Sequence, residues 1–179
     1  MTTEPDRRHL LEIARRAIVA HVHGTSLNEA LLGDAHDARG GAFVSLHRGN
    51  ELRGCIGHVE QDELLARVVA RCAVAASSSD PRFPPVTAGE IEDLSIEVSV
   101  LGPLEPIAGP DDIEIGRHGL LIEKGWSRGL LLPQVATQWG WDREQFLAQT
   151  CRKAGLPPTA WKSGATLWRF AAEVFAEER

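Results

Sequence analysis

The sequence GAFVSLHRGNELRGCIGHV, residues 41–59, contains two strand candidates separated by a short turn. The candidates are Gly41–His47 and Leu52–Val59. Gly49 and Asn50 lie in the turn and supply the positive backbone angles that a tight hairpin requires. The stretch therefore predicts an antiparallel strand pair, around which the other elements are arranged.

Helices and further strands are predicted on both sides of this hairpin from the spacing of apolar residues. Because hairpins join antiparallel strands, we expect an α+β fold, with an antiparallel or mixed β-sheet flanked by helices. We expect a single domain, 1–179, with a smaller lobe at about 133–165, and Asp142 as a helix N-cap. The predicted helices are 12–21, 62–76, 133–140 and 142–154, and the further strands are 94–101, 119–123, 129–132 and 166–175.

The composition is typical of a soluble globular protein. Of the 179 residues, 43% are apolar and 25% are charged, and the formal net charge is -6. This charge disfavours nucleic acid and anionic membranes as partners, because binding to either depends on basic surface. Residues 1–9 lack the apolar core of a signal peptide, and no apolar run approaches the roughly 20 residues of a membrane-spanning helix. The three cysteines show no disulfide spacing, so we expect a cytoplasmic protein with reduced thiols.

Cys55 lies between two glycines on the second strand of the hairpin and is the candidate catalytic residue. Because alternate residues of a strand share a face, Arg53, Cys55 and Gly57 are predicted to form a functional face. A guanidinium close to a thiol favours the thiolate, which is the nucleophilic form. Glycines let a ligand approach the backbone closely. Arg53, Gly54 and Gly57 are therefore predicted to bind a ligand beside Cys55.

The opposite face of the strand, formed by Leu52, Gly54 and Ile56, is predicted to pack toward the apolar Phe43 of the first strand, which leaves Cys55 on the side away from the core. A structural role for this motif is the alternative. Free cysteine is among the most buried residue types, so Cys55 would then fill space under the second helix. The glycines would serve packing or a bulge. The sequence leaves both interpretations open.

The loop Asp80–Pro85 is the second candidate site, because its three prolines keep it out of a regular helix. Asp80 is predicted to accept hydrogen bonds from backbone N–H groups of its own turn. Arg82 is predicted to bind a carboxylate or phosphate group of a ligand. The alternative is an Asp–Arg pair that holds a rigid loop in place.

Other reactive or aromatic side chains are assigned to structural roles. Cys72 and Cys151 lie on apolar helical stripes and are predicted to be core residues. His118 is predicted to make a local hydrogen bond. The pair of Cys55 and His58 lacks the second close pair that a zinc site requires, so we predict no metal and no cofactor. The tryptophans predicted to form the core of the carboxy-terminal lobe are Trp139, Trp141, Trp161 and Trp168.

Short segments spread over most of the chain form a characteristic set. The six segments are Leu52–Gly57, Asp80–Pro85, Ile96–Leu101, Gly116–Leu120, Gly129–Ala136 and Gly140–Pro157. Together, and in this order, they resemble the AMMECR domain family, which includes protein A of the bacterial and archaeal AmmeMemoRadiSam system. The resemblance covers the chain from Leu10 to Phe175 and implies an α+β fold with a main sheet-and-helix lobe and a smaller lobe.

The resemblance also implies a pathway shared with a Memo-type protein and a radical S-adenosylmethionine enzyme. In the favoured hypothesis, the chain is an enzyme or enzyme subunit that binds a small anionic ligand around Arg53, Cys55 and the Asp80/Arg82 loop. The alternative is a non-catalytic adaptor that docks one of those two proteins through the same surface. RNA binding is a weaker alternative, which the negative net charge disfavours.

Overall fold

The computed structural model describes residues 2–27, 32 and 38–178. Its strand pairs are antiparallel, and helices accompany them along the chain. The α+β class predicted from the sequence is therefore confirmed. None of the helices within the described ranges has the length and apolar character needed to cross a membrane.

The chain divides into two compact units. The first unit consists of Met1–Leu101 with Glu173–Arg179, and the second consists of Gly102–Ala172. The lobe predicted at about 133–165 falls within the second unit. Whether 1–179 acts as one domain with such a sub-lobe stays a prediction.

The first unit contains two long helices that pack on an antiparallel sheet. Its elements are α1 (Glu4–Val22), β1 (Ala42–Arg48), β2 (Glu51–His58), α2 (Leu65–Ser78), a 3-10 helix (Ala88–Asp93) and β3 (Leu94–Leu101). The strand order is β2-β1-β3, which places β1 in the centre and β2 at an edge of the sheet. The candidate residues Arg53 and Cys55 therefore lie on an edge strand.

Helix α1 begins earlier than the predicted start at residue 12. The side chain of Thr3 accepts a hydrogen bond from the Asp6 N–H, and the Asp6 carboxylate accepts one from the Thr3 N–H at 2.8 Å. Pro5 lies in the first turn of the helix. A residue at this position makes no intrahelical hydrogen bond through its N–H, so proline, which lacks the N–H, fits there. These capping residues extend the helix beyond the apolar stripe on which the sequence prediction depended.

The hairpin predicted in residues 41–59 is confirmed, because β1 and β2 pair antiparallel. The strands extend to Arg48 and from Glu51, so the turn consists of two residues. Gly49 has the positive φ of 59° that was predicted for the turn. Asn50 does not have a positive φ, so this part of the prediction is wrong.

One face of the sheet is apolar and packs on the helices. Val44 and Leu46 of β1 and Ile96 and Val98 of β3 are fully buried in this core. Gly54 lies on the same face, because it is paired with Leu46 and directly opposed residues of antiparallel strands share a face. The helices cover this face, so the opposite face is the candidate for a functional site.

The prediction that Phe43 packs with Ile56 is wrong. Phe43 is paired with Gly57, whereas Val44 is paired with Ile56. Since paired residues lie on the same face, Phe43 belongs to the face of Cys55 and away from the helices. The sequence pattern identified both strands correctly but did not fix the register between them.

A β-bulge at Arg53 places Leu52 on a different face from the one predicted. The register shifts between Leu46 and His47: Leu46 is opposite Gly54, and His47 is opposite Leu52. Arg53 is therefore the extra residue of β2, and the alternation of faces is interrupted there. Leu52 lies on the face opposite the helices and is 36% exposed.

The second unit also combines antiparallel strands with helices around a core of its own, which includes Leu120, Ile122, Phe146 and Leu147. Asp142 caps a helix as predicted, since its carboxylate accepts the Gln145 N–H at 2.8 Å. The elements are β4 (Glu105–Ile107), a 3-10 helix (Pro110–Asp112), β5 (His118–Lys124), β6 (Ser127–Leu131), α3 (Pro133–Trp139), α4 (Arg143–Lys153), a second 3-10 helix (Ala160–Lys162) and β7 (Thr166–Ala176), whose residues from Glu173 onward belong to the first unit.

The predicted burial is confirmed for both structural cysteines but not for all of the tryptophans. Cys72 and Cys151 are buried in the cores of the first and second units, which confirms their assignment. Trp141 and Trp161 pack against the second core. Trp139 is 70% exposed and stacks on Trp141, with ring centroids 6.0 Å apart, so its assignment to the core is wrong.

Candidate functional site

The face of the first unit's sheet opposite the helices carries polar side chains. Ser45 is the strand partner of both Cys55 and Glu97, so these three residues form one row across β2, β1 and β3. In the next row Phe43 is paired with Ser99. Ser45 and Ser99 are buried, whereas Cys55 and Glu97 are half-buried. The face therefore combines a thiol, two hydroxyl groups and a carboxylate.

Ser45 is the direct partner of the candidate thiol. Its Oγ donates a hydrogen bond to Cys55 Sγ over 3.2 Å. The backbone N–H and C=O of Cys55 bond to other groups, so Ser45 and Cys55 form a non-hydrogen-bonded strand pair. Side chains of such pairs approach more closely than those of hydrogen-bonded pairs, which explains the contact.

The side chains of Asp80 and Arg82 close the edge of β2 at Cys55. Asp80 Oδ2 accepts the Cys55 N–H at 2.9 Å, and Arg82 Nη2 donates to the Cys55 carbonyl at 3.3 Å. Arg82 also donates Nε to Asp80 Oδ1 at 3.0 Å and Nη2 to Oδ2 at 2.7 Å. The pair therefore takes the place of a neighbouring strand and protects the edge.

The Asp80–Arg82 pair has a buried and an exposed end. The Asp80 side chain is 2% exposed and that of Arg82 is 51% exposed. Asp80 Oδ1 also accepts the Arg82 N–H at 3.1 Å, which confirms the predicted bond within its own turn. Hydrogen bonds from Arg82 hold the pKa of Asp80 well below its usual range. The carboxylate is thus charged and fixed, and it orients a guanidinium that reaches solvent.

Arg53 is hydrogen-bonded to residues that follow the Asp80–Arg82 pair in the chain. It donates Nε and Nη2 to the two carboxylate oxygens of Glu90, at 3.0 and 3.2 Å. It also donates to the carbonyls of Pro84 and Pro85, at 2.8 and 3.3 Å. The hydrogen bond from Arg53 lowers the pKa of Glu90 to about 2. Arg53 therefore holds this loop against β2, and its role in ligand binding stays a prediction.

The predicted effect of a neighbouring guanidinium on the Cys55 thiol is present at Arg82 but is outweighed by burial. Burial raises the pKa of the Cys55 thiol, and this effect outweighs the lowering by the Ser45 hydrogen bond and by the charge of Arg82. The negative charges of Asp80 and Glu97 raise the pKa further. Cys55 is therefore a neutral thiol at pH 7, which is the less nucleophilic form.

Alkylation against pH tests this protonation state. We expect iodoacetamide to modify Cys55 slowly at pH 7, at a rate that is still rising above pH ~8.5, the ordinary thiol pKa, because the thiolate alone reacts. We expect Ser45→Ala to move the profile to higher pH, since it removes the bond that lowers the pKa. Labelling of Cys55→Ser measures the background from Cys72 and Cys151. A rate that levels off below pH 8 contradicts a raised pKa.

Both glycines of the motif are in close contact within the first unit. A Cβ at Gly54 would lie 2.2 Å from the carbonyl oxygen of Ala76 on α2. A Cβ at Gly57 would lie 2.3 Å from the ring of Phe43. The chain itself therefore makes a close approach at each position, as in the packing alternative. Contact of Gly54 and Gly57 with a ligand stays a prediction.

The two histidines singled out in the sequence make short-range contacts. Nδ1 of His118 accepts the Glu114 N–H at 3.0 Å, which confirms the predicted local hydrogen bond. Burial lowers the pKa of His118. Nδ1 and Nε2 of His58 lie 3.2 and 3.7 Å from carboxylate oxygens of Glu60 and Asp62, respectively. His58 is thus engaged by acidic residues that follow it in the chain.

Ser45 and Glu97 belong to the site but were not predicted from the sequence. The alternation of residues 94–101 places Glu97 on the polar face of a strand. Ser45 is a polar residue among the apolar residues of the first strand. Neither pattern says which strand lies next to which. Only the order β2-β1-β3, with its register, brings the two residues into line with Cys55.

Known proteins resemble this chain over nearly its whole length. It is 48% identical to a protein of Methanothermobacter thermautotrophicus, over 96% of this chain and 94% of that one. It is 47% identical to a protein of Thermococcus onnurineus, over 94% and 89% of the two chains. The crystal structure of protein PH0010 from Pyrococcus horikoshii matches with a TM-score of 0.91 at 41% identity, covering 98% of this chain and 93% of that chain. The AMMECR1 family model matches residues 11–175. The chain therefore belongs to the AMMECR1 family.

Proposed function

We propose that the chain is a component of the AmmeMemoRadiSam pathway and that it binds a small anion at the exposed edge of Arg82, beside Cys55. Family membership supports the pathway, because the family resemblance joins this domain to a Memo-type protein and a radical S-adenosylmethionine enzyme. The contacts of Arg82 and Asp80 support the binding site. Cys55 would face the ligand as a neutral thiol.

The orientation of Arg82 is the observation that carries this proposal. Its Nε and Nη2 are bonded to Asp80 and to the Cys55 carbonyl. Within the described part of the chain, Nη1 donates to no acceptor, and half of the side chain is exposed. The open edge of a guanidinium matches the oxygens of a carboxylate or phosphate. Because Asp80 already fixes the side chain, little conformational entropy is lost on binding.

Inorganic phosphate is a suitable probe of this site. We expect phosphate to raise the melting temperature of the wild type relative to sodium chloride at equal ionic strength, because a ligand of the native state stabilises it. Arg82→Lys keeps the positive charge but lacks the planar fork. We expect this variant to bind phosphate about tenfold more weakly, as for the loss of one charge-assisted hydrogen bond. Thermal shifts over a phosphate titration measure both effects.

Arg48→Lys is the matched control. Arg48 lies on β1 with its side chain 59% exposed, 3.7 Å from an oxygen of Asp93. Arg48→Lys also replaces a guanidinium by an ammonium group, but outside the site. The response of this variant to phosphate is therefore expected to equal that of the wild type. A wild type that responds to phosphate and chloride equally would overturn the proposal. So would an unchanged response in Arg82→Lys.

Docking without catalysis is the second candidate function, and exposed tryptophans of the second unit favour it. Trp126 is fully exposed and Trp139 is 70% exposed. Tryptophan is enriched among the residues that dominate the energetics of protein–protein interfaces. In this case the chain serves as an adaptor for the Memo-type or radical enzyme, through these tryptophans rather than through the surface around Cys55 that the sequence suggested. A failure of phosphate to bind favours the adaptor.

A further inference from the structure

Glu97 presents an unmatched carboxylate on the Cys55 face. It is half-buried on β3, in the row that contains Ser45 and Cys55. Among the described residues, no side chain donates a hydrogen bond to Glu97 and no cation pairs with it. This sets it apart from Asp80 and Glu90, whose carboxylates are each bonded by an arginine. A partly buried charge without a partner is unfavourable, so this position favours a cationic ligand group.

Ser99 provides a second, independent observation on the same face. The residue is 1% exposed, and its Oγ has no hydrogen-bond partner within the described part of the chain. Because Ser99 and Glu97 are two residues apart on β3, their side chains share a face. Buried hydroxyl groups are normally paired, since leaving one unpaired is costly. Ser99 therefore offers a ligand both a donor and an acceptor next to Glu97.

The acidic and basic groups lie on opposite sides of the thiol. Neighbouring strands are about 4.8 Å apart, so Glu97, two strands from Cys55, is separated from it by about 10 Å. Arg82 lies beyond Cys55, outside the edge of β2. A ligand that spans the row would meet the carboxylate at one end, the guanidinium at the other and the thiol between them.

We propose that the ligand of this face is a small amine-bearing acid. Its protonated amine binds to the Glu97 carboxylate and donates to the Ser99 hydroxyl, and its anionic group binds to Arg82. The anionic half of this assignment rests on the function proposed above, whereas the amine half rests on Glu97 and Ser99 alone. The two halves are therefore tested separately.

Three probes of matched length separate the contributions: 6-aminohexanoate, hexanoate and hexylamine. We expect thermal-shift titrations of the wild type to give about tenfold tighter binding of 6-aminohexanoate than of hexanoate, the factor that one charged hydrogen bond supplies. We expect Glu97→Gln, which keeps the shape of the side chain, to abolish this preference. Ser99→Ala is expected to reduce the preference while leaving the melting temperature of the unliganded protein unchanged or higher.

Glu51→Gln is the control for net charge. Glu51 is exposed at the start of β2, and its exchange removes the same single negative charge as Glu97→Gln. The preference for 6-aminohexanoate is expected to persist in this variant. If the preference disappears in Glu51→Gln as well, it reflects the overall charge of the protein and the inference fails.

The remaining outcomes distinguish the two proposals. Binding of hexanoate and 6-aminohexanoate with equal affinity overturns the amine site and leaves the anion site intact. Binding of hexylamine that Glu97→Gln abolishes, without any binding of hexanoate or phosphate, supports the amine site and overturns the anion site. If none of the probes binds to the wild type, both proposals are wrong.

Discussion

Asp80→Ala is expected to lower the free energy of unfolding by about 3 kcal/mol at pH 7, the upper range for hydrogen bonds to a charged group. The buried carboxylate accepts the backbone N–H groups of Cys55 and Arg82 and two bonds from the Arg82 guanidinium. Alanine leaves the Cys55 N–H on an open strand edge and releases the Arg82 side chain. Equilibrium unfolding in urea measures the loss.

The loss depends on pH in a defined direction. The fold holds the pKa of Asp80 below its usual value, so the charged carboxylate stabilises the native state. This contribution is complete above the unfolded-state pKa of ~3.9 and disappears as the pH falls from there toward the folded-state pKa. The difference between wild type and Asp80→Ala should therefore be constant near neutrality and shrink below about pH 4.

Asp93→Ala is the control for this measurement. Asp93 is 60% exposed and lies 3.7 Å from Arg48, so its ion pair is weakened by solvent. Exposed pairs contribute less than about 1 kcal/mol, and the variant should unfold close to the wild type. Equal losses for Asp80→Ala and Asp93→Ala would show that the carboxylate at Cys55 does not hold the strand edge.

Gly54→Ala is expected to destabilise the first unit by about 3 kcal/mol, the upper range for an overpacked core. The added Cβ would lie 2.2 Å from the carbonyl oxygen of Ala76, and this contact is with backbone rather than with a flexible side chain. Relief requires α2 to move away from β2, which loosens the packing on Leu46 and Val44. The midpoint of urea unfolding measures the effect, with circular dichroism to confirm that the variant folds.

Gly89→Ala is the matched glycine exchange. Gly89 lies in the 3-10 helix of residues 88–93, and a Cβ there meets no atom within 4 Å. Its φ lies outside the left-handed region, so alanine fits and restricts the unfolded chain, with an expected gain of about 0.5 kcal/mol. A wild-type midpoint for Gly54→Ala would mean that α2 does not need the glycine.

Local signals in the sequence were sufficient for much of the fold. The hairpin at Gly49, the helix cap at Asp142 and the burial of Cys72 and Cys151 each depend on a few residues that are close in the chain. Turn chemistry, capping and helical periodicity act over one or two turns of chain. These features can therefore be predicted from the sequence before any tertiary contact is known.

The same local signals did not determine the register between β1 and β2. Whether Phe43 lies opposite Ile56 or Gly57 depends on one extra residue, the bulge at Arg53, which changes the face of Leu52 as well. A shift of one residue exchanges the two faces of a strand while leaving the apolar pattern intact. The position of the bulge is fixed by packing and by the loop that Arg53 holds, and both involve residues distant in sequence.

The candidate site shows the same division. The sequence by itself determined that Cys55, Arg53, Asp80 and Arg82 belong to segments that the family resemblance marks out. The tertiary structure decided that Arg53 is bonded to Glu90 while Arg82 is bonded to Asp80 at the thiol. It also decided that burial raises the pKa of Cys55 and that Ser45 and Glu97 share its row. Charge partners, burial and strand order arise from contacts between distant parts of the chain, so only the folded chain determines them.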